Sequence, residues 1–180
     1  FRRVLFRSAF LELFRKRSAD FERIMQGSSF PRAELLFDRE TSLDLGGVRV
    51  RLSLLGPTHT RGDTVVFVEE DKVLFSGDIV MKNQFPAFSR FSSGRAWLAA
   101  LDQLDAMHPV HVVGSHGELG DASLIGEYRK FMQMLQARSG QLKSQKIPGD
   151  QATKILGAEL QPQFPNWSSP DRIGPAARTF

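Results

Sequence analysis

Apolar residues recur along this chain with two periods, and the switches between them lay out its elements. From Ala9 to Gln26, Phe10, Leu11, Phe14, Phe21, Ile24 and Met25 fall at helical spacing. Gly27 stands where a C-cap would, so the stretch predicts an amphipathic helix. Phe30-Pro31 breaks the pattern. ELLFD (34–38) and TSLDL (41–45) read as short strands, and Gly46-Gly47 turns the chain into VRVRLSLL (48–55). There Val48, Val50, Leu52 and Leu54 alternate with Arg49, Arg51 and Ser53, as in a strand buried on its apolar side. TVVFVEE (64–70) and KVLFSG (72–77) are rich in β-branched and aromatic residues and predict a hairpin turning at Glu70-Asp71. HVVGS (111–115) is a further strand. Helical periodicity returns from Gly94 to Met107, with Ser93 as N-cap and Trp97, Leu98, Leu101 and Leu104 on one face. It returns again from Ala122 to Ala137, with Asp121 as N-cap and Leu124, Ile125, Tyr128, Phe131, Met132 and Leu135 inward. Beyond Gly140 the chain is richer in Gln, Lys, Ser, Pro and Gly. There GDQATKILGAEL (149–160) predicts a short helix, and Trp167 an anchor for the tail.

The hairpin fixes where chemistry can gather. With Glu70-Asp71 as the turn, Glu69 faces Lys72 and Thr64 faces Gly77, because antiparallel partners sum to a constant. His59 and Asp78 then lie at the same end. His116 follows the third strand inside the frame Gly114-x-x-Gly117, whose glycines allow a side chain to be held close to the main chain. Each of three strand ends thus delivers one carboxylate or imidazole, an oxygen and nitrogen set suited to zinc or iron. His111 alternates with valines and reads as structural, as does His108 beside Pro109.

Composition narrows the classes. Lys and Arg number 24 against 20 Asp and Glu, a formal charge of +4. Arg2, Arg3 and Arg7 sit in the first eight residues, which hold no acid, so the remainder is close to neutral and argues for neither nucleic acid nor membrane as partner. No apolar run approaches a membrane span. There is no Cys, so disulfides and thiolate metal sites are excluded. The compartment is not encoded, and cytoplasm is the default expectation.

HTRGD, VLFSGDIV and VVGSHGELGD, in this order and with 19 and 38 residues from ligand to ligand, resemble the later motifs of the metallo-β-lactamase-fold hydrolases, glyoxalase II-like members among them. The resemblance covers roughly residues 30–135. It implies an α+β fold, the four-layer αβ/βα sandwich, and a site of one or two metal ions. Zinc is the expected ion, with iron or manganese as substitutes. By resemblance His59 binds one metal, Asp78 bridges two and acts as the catalytic carboxylate, and His116 binds the second. Asp63 stands where many members carry a second His, and is expected to support the His59 loop by hydrogen bonding.

The family's first motif, His-x-His-x-Asp-His, is absent from this sequence, whose four histidines are His59, His108, His111 and His116. Residues 1–8, FRRVLFRS, resemble one reading frame of a sequencing adaptor and are expected to be a non-native scar. The chain is accordingly expected to be an N-terminally truncated fragment of a bacterial enzyme. Residues 9–140 would form a partial domain and 141–180 an extension packed on it. The resemblance further implies a small-molecule substrate and hydrolysis of an ester, thioester, lactone, amide or phosphoester by metal-activated water, with the fragment itself inactive. The other readings are a mononuclear iron oxygenase on the same fold and a non-catalytic remnant. Phe85, Phe88 and Phe91 are candidate walls of a substrate pocket, and Arg90 and Arg95 candidate anion contacts.

Overall fold

The computed structural model describes residues 19–27, 29 and 33–180. They fall in two units, Phe1–Leu36 and Phe37–Phe180, each taken here by itself. In the first, helix α1 (Ala19–Met25) carries an Asp20–Arg23 ion pair at 3.6 Å one turn apart. Gly27 follows at φ +74°, the left-handed conformation that ends helices. The remainder of the helix expected from Ala9, and residues 1–8, lie outside the described residues.

In the second unit the β-rich segments form one five-stranded sheet in sequence order: β1 (Glu40–Asp44), β2 (Arg49–Leu54), β3 (Thr64–Val68), β4 (Val73–Gly77) and β5 (His111–Gly114). The first four strands run antiparallel, and β5 joins β4 in parallel. Val66 faces Phe75, Phe67 faces Leu74 and Val68 faces Val73, the register expected from a turn at Glu70-Asp71. ELLFD (34–38), by contrast, forms no strand. Leu35 and Leu36 are exposed, and pairing with β2 begins only after Arg39, whose carbonyl accepts from the Leu54 N–H at 2.7 Å.

Helix α2 (Gly94–Ala106) starts at Ser93, whose hydroxyl accepts from the Ala96 N–H. Helix α3 (Ser123–Ser144) runs well past Ala137, so the chain does not break at Gly140. Arg138 makes two bonds to Glu159 of helix α4 (Gly149–Leu160), at 2.6 and 2.7 Å, and Leu142 is buried on the inner face. A short helix α5 (Ile173–Ala176) follows. The tail contributes Leu156, Leu160, Phe164, Trp167 and Ile173 to the same apolar core as the sheet. Trp167 meets Phe85, Tyr128, Phe131 and Phe164 at ring separations of 4.7–5.7 Å. Each such pair is worth about 0.5–1.5 kcal/mol beyond burial.

Within this unit the core cluster lies on one face of the sheet, and it is not the face the β2 alternation predicts, although Val50 of that other face is also buried. Val65, Phe67, Leu74 and Val112 enter the core, and strand pairing puts Arg51 and Ser53 on their side. Ser53 is buried there, its hydroxyl donating to Glu40 at 2.9 Å, and the Arg51 guanidinium lies 5.5 Å from the centre of the Phe67 ring. A short hydroxyl side chain and a long aliphatic stem thus occupy positions that the pattern assigns to the outside. Leu52, Leu54, Val66, Phe75 and Val113 share the other face, where Leu54 and Phe75 are exposed. No residue of that face belongs to the core cluster.

Candidate metal centre

Strand topology brings the three expected ligands to one edge. Leu54 at the end of β2 pairs with Thr64 at the start of β3, and Gly77 at the end of β4 lies beside Gly114 at the end of β5. The loops that follow β2, β4 and β5 therefore open at the same end of the sheet.

Residues 56–63 form a closed loop. The Leu55 and Gly56 N–H groups both donate to the Asp63 carbonyl, at 2.8 and 3.2 Å. A Cβ on Gly56 would come within 2.6 Å of the Arg61 carbonyl oxygen, so only glycine fits. The Asp63 carboxylate accepts from both threonine hydroxyls, Thr58 and Thr60, and from the Thr60 N–H at 2.8 Å. It braces the loop on either side of His59. The His59 Nδ1 lies 2.6 Å from the Ala87 carbonyl oxygen. A carbonyl only accepts, so Nδ1 carries the proton and the Nε2 lone pair is left free for a metal or an acid.

Asp78 sits at the rim because the residues after it are drawn inward. Ile79, Val80 and Met81 are buried. The Trp97 indole donates to the Ile79 carbonyl at 3.0 Å, and the Ser76 hydroxyl to that of Val80 at 2.8 Å. Ser115 donates to Asp78 Oδ1 at 2.6 Å. The His116 loop is pinned by the Lys82 N–H, which donates to the His116 carbonyl at 3.3 Å. Its glycine frame is tight: a Cβ on Gly114 would meet the Val80 carbonyl oxygen at 2.6 Å, and one on Gly117, at φ +85°, that of Lys82 at 2.7 Å.

The outcome is a His–Asp–His cluster. His59 Nε2 stands 3.9 Å from Asp78 Oδ2, and His116 Nε2 stands 3.7 Å from Asp78 Oδ1. Two ligands on one tetrahedral zinc, with bonds of ~2.05 Å, would be about 3.3 Å apart. The separations here exceed that by roughly 0.4 to 0.6 Å, and imidazole and carboxylate donors suit zinc. Each imidazole addresses a different carboxylate oxygen, so each candidate ion position has two ligands. In keeping with that, among the described residues no three His, Cys, Asp or Glu side chains surround a single point. The donor types suit a metal, but two to a position fall short of the three or four of a tight site. All three are solvent-accessible, His116 the most open at 58% of its side chain.

The expected pocket walls fare differently. Phe85 is fully buried, packed edge-on against Phe131 and Trp167 at 5.3 and 5.2 Å, and has no surface for a substrate. Phe88 stacks on Trp97 at 4.8 Å and closes the core beneath the loop. Phe91 is exposed, with the Arg61 and Arg90 guanidinium groups 4.0 and 4.6 Å from its ring. Arg90 is thereby engaged in a cation–π contact. Arg95, on α2, instead lines a separate cavity of about 360 Å³ with Gln136, Thr179 and Phe180. His111 is exposed, on the face of the sheet opposite the core. Two groups escaped the sequence reading altogether, the Ala87 carbonyl and the Ser115 hydroxyl. The first has no sequence signature, while the second adjoins a motif residue.

His59, Asp78 and His116 thus stand in the loops after β2, β4 and β5 of a sheet backed by helices, in keeping with the metal-dependent-hydrolase type of fold that the family match supports. The sequence profile of the family described as Metallo-beta-lactamase superfamily matches residues 9–116, and the chain belongs to that superfamily. It is 29% identical over 100 residues to the metallo-beta-lactamase type 2 of Bacteroides fragilis, a match covering 53% of this chain and 40% of that protein. Among solved structures, the metallo-beta-lactamase from Pontibacter korlensis superposes with a TM-score of 0.52 at 25% identity, covering 64% of this chain and 56% of that one. The sec-alkylsulfatase Pisa1 from Pseudomonas sp. shares the fold alone, with a TM-score of 0.58 at 14% identity over 80% of this chain and 25% of that one. The chain thus spans about half or less of the length of these relatives.

Proposed function

We propose that the whole protein is a metal-dependent hydrolase of a small molecule, to which this chain contributes His59, Asp78 and His116 as metal ligands. The observation that carries the reading is the approach of both Nε2 atoms to the two oxygens of one carboxylate. Superfamily membership supports the same class. His59 and His116 would each hold an ion through Nε2, with Asp78 between them. When bound, the metal supplies a Lewis acid that activates water and polarises the bond under attack, so no Ser or Cys nucleophile is required. The protein's part is orientation. Ala87 holds the His59 ring in one tautomer, Ser115 fixes the Asp78 carboxylate, and Asp63 keeps the His59 loop closed. The site lies open at the sheet edge, within reach of a small molecule carrying an ester, thioester, lactone, amide or phosphoester bond.

Two ligands per ion leave the 180-residue chain a weak binder by itself, since tight sites use three or four. The activity test therefore uses the protein as its native gene encodes it. Across a panel of activated esters, thioesters, lactones, β-lactams and phosphoesters it is expected to show turnover that a chelator abolishes and zinc restores. Asp78→Asn is expected to lower that turnover by at least about 100-fold, more than the loss of a group that merely orients a ligand. Turnover indifferent to chelator and to Asp78→Asn would refute the reading. Preferential retention of iron with oxygen consumption would replace it with the oxygenase.

A further inference from the structure

Two segments distant in sequence, the turn at 168–172 and helix α3, converge on the backbone of residues 83–85. The Ser168 N–H donates to the Asn83 carbonyl at 2.8 Å, and the Phe85 N–H returns a bond to the Ser168 carbonyl at 3.1 Å. Arg172 Nη1 donates to the Phe85 carbonyl at 3.2 Å, and the Tyr128 hydroxyl to that of Gln84 at 2.6 Å. Tyr128 is itself fully buried, and burial pushes its phenol above the ordinary tyrosine range, so at neutral pH it is a donor. The Phe85 ring is locked in the aromatic cluster around Trp167. Pro86, with its fixed φ, then leads directly to Ala87, whose carbonyl receives His59 Nδ1.

The polar contacts have a pattern that anchoring the tail does not require. Trp167, Phe164 and Ile173 already fasten the tail by apolar burial. The hydrogen bonds from Ser168, Arg172 and Tyr128 all end on one short backbone segment, and they set the direction of its peptide groups. That segment is separated by Pro86 alone from the one carbonyl that fixes the His59 tautomer.

We propose that the turn at residues 168–172 and the Tyr128 hydroxyl form a clamp that sets the His59 ring through the Ala87 carbonyl, making Arg172 and Tyr128 positioning residues for a candidate metal ligand that neither touches. The proposal rests on the metal reading of His59, and its test separates the two. Long-range proton–nitrogen NMR of the 180-residue chain, with its histidines labelled with nitrogen-15, reports the tautomer of His59. Zinc titration of the same samples reports affinity.

The wild-type chain is expected to hold His59 as the single Nδ1–H tautomer. Tyr128→Phe and Arg172→Met are expected to give a mixture of tautomers and to weaken zinc binding by about 10–100-fold, the usual cost of losing a group that orients a ligand. Arg172→Lys is expected to restore the single tautomer in part. Arg138→Met serves as the control, since it removes the ion pair to Glu159 on the same tail without touching the clamp. It is expected to lower the melting temperature and leave His59 unchanged. The clamp is overturned if Tyr128→Phe and Arg172→Met lower the melting temperature as the control does yet leave the tautomer single. If the wild-type chain takes up no zinc even at millimolar concentration, where a two-ligand position should still respond, the metal reading is contradicted, while the tautomer comparison still decides the clamp.

Discussion

Both carboxylate oxygens of Asp63 are taken up by Thr58 and Thr60, and Thr58 is fully buried. Asp63→Ala would leave the Thr58 hydroxyl without an acceptor where water does not reach, at a cost of about 1–3 kcal/mol. It would also release the loop that carries His59. The expected outcome is a lower urea midpoint together with zinc binding weakened by about 10–100-fold; Asp63→Asn, which keeps one acceptor, should lose less of both. Unchanged zinc affinity in Asp63→Ala would show that the loop holds His59 without it. At this scale the sequence was most informative where the side chain itself carries the chemistry. His59, Asp78 and His116 are recognisable by residue type and by position after a strand. The Ala87 carbonyl is not, because every residue has one. Phe85 was misplaced for a related reason: an aromatic in a loop reads the same whether it faces a pocket or, as here, the core.

At the scale of elements, the N-cap of helix α3 is Ala122 rather than the expected Asp121, whose carboxylate instead accepts from the Ser123 N–H at 2.8 Å, just ahead of the helix. Hydrogen bonds from Ser123, side chain and backbone, hold the Asp121 carboxyl below its ordinary range. A depressed folded pKa means that its contribution is present above the unfolded value and is lost as pH falls through the folded one. Asp121→Ala should therefore lower the melting temperature at neutral pH. The difference from wild type should shrink as pH falls below the ordinary Asp range and through the depressed folded value, where the wild-type carboxylate protonates too. A difference independent of pH would remove the charge of Asp121 from the account.

Registers proved more legible than faces. Turn length and the two-residue period of a strand fix the β3–β4 pairing, and the structure has it as read. Which side of the sheet the helices cover is settled by groups remote in sequence, so the alternation in β2 identified an apolar face and put it on the wrong side. ELLFD (34–38) has strand composition, but a strand also needs a partner, and β2 is already paired through β1. The end of α3 was hidden because Arg138, Gln141 and Lys143 lack an apolar signature, although Arg138 reaches Glu159 on α4.

For the molecule as a whole, the two faces of the sheet are unequal. One bears α2 to α5, the aromatic cluster and the tail. The other presents Leu52, Leu54, Val66, Phe75 and Val113, with Phe75 exposed to 44% of its surface. The three candidate ligands stand at the end of that same sheet, two to an ion position, in a chain covering 40% and 56% of the lengths of two metallo-beta-lactamases. No helix among the described residues is long and apolar enough to cross a membrane. The shared location of the ligand loops could be read from the strand pattern, since each ligand lies within a few residues of a strand's end, whereas the α+β architecture came from the resemblance of the ligand motifs.

The central claim is that His59, Asp78 and His116 act together on a metal. It is tested most directly by titrating zinc into the nitrogen-15-histidine-labelled chain and following all four imidazoles. The account predicts that His59 and His116 shift through their Nε2 atoms while His108 and His111 stay still, and that Asp78→Asn abolishes both responses. A response of His108 or His111 in place of these two, or shifts of His59 and His116 that survive Asp78→Asn, would contradict it.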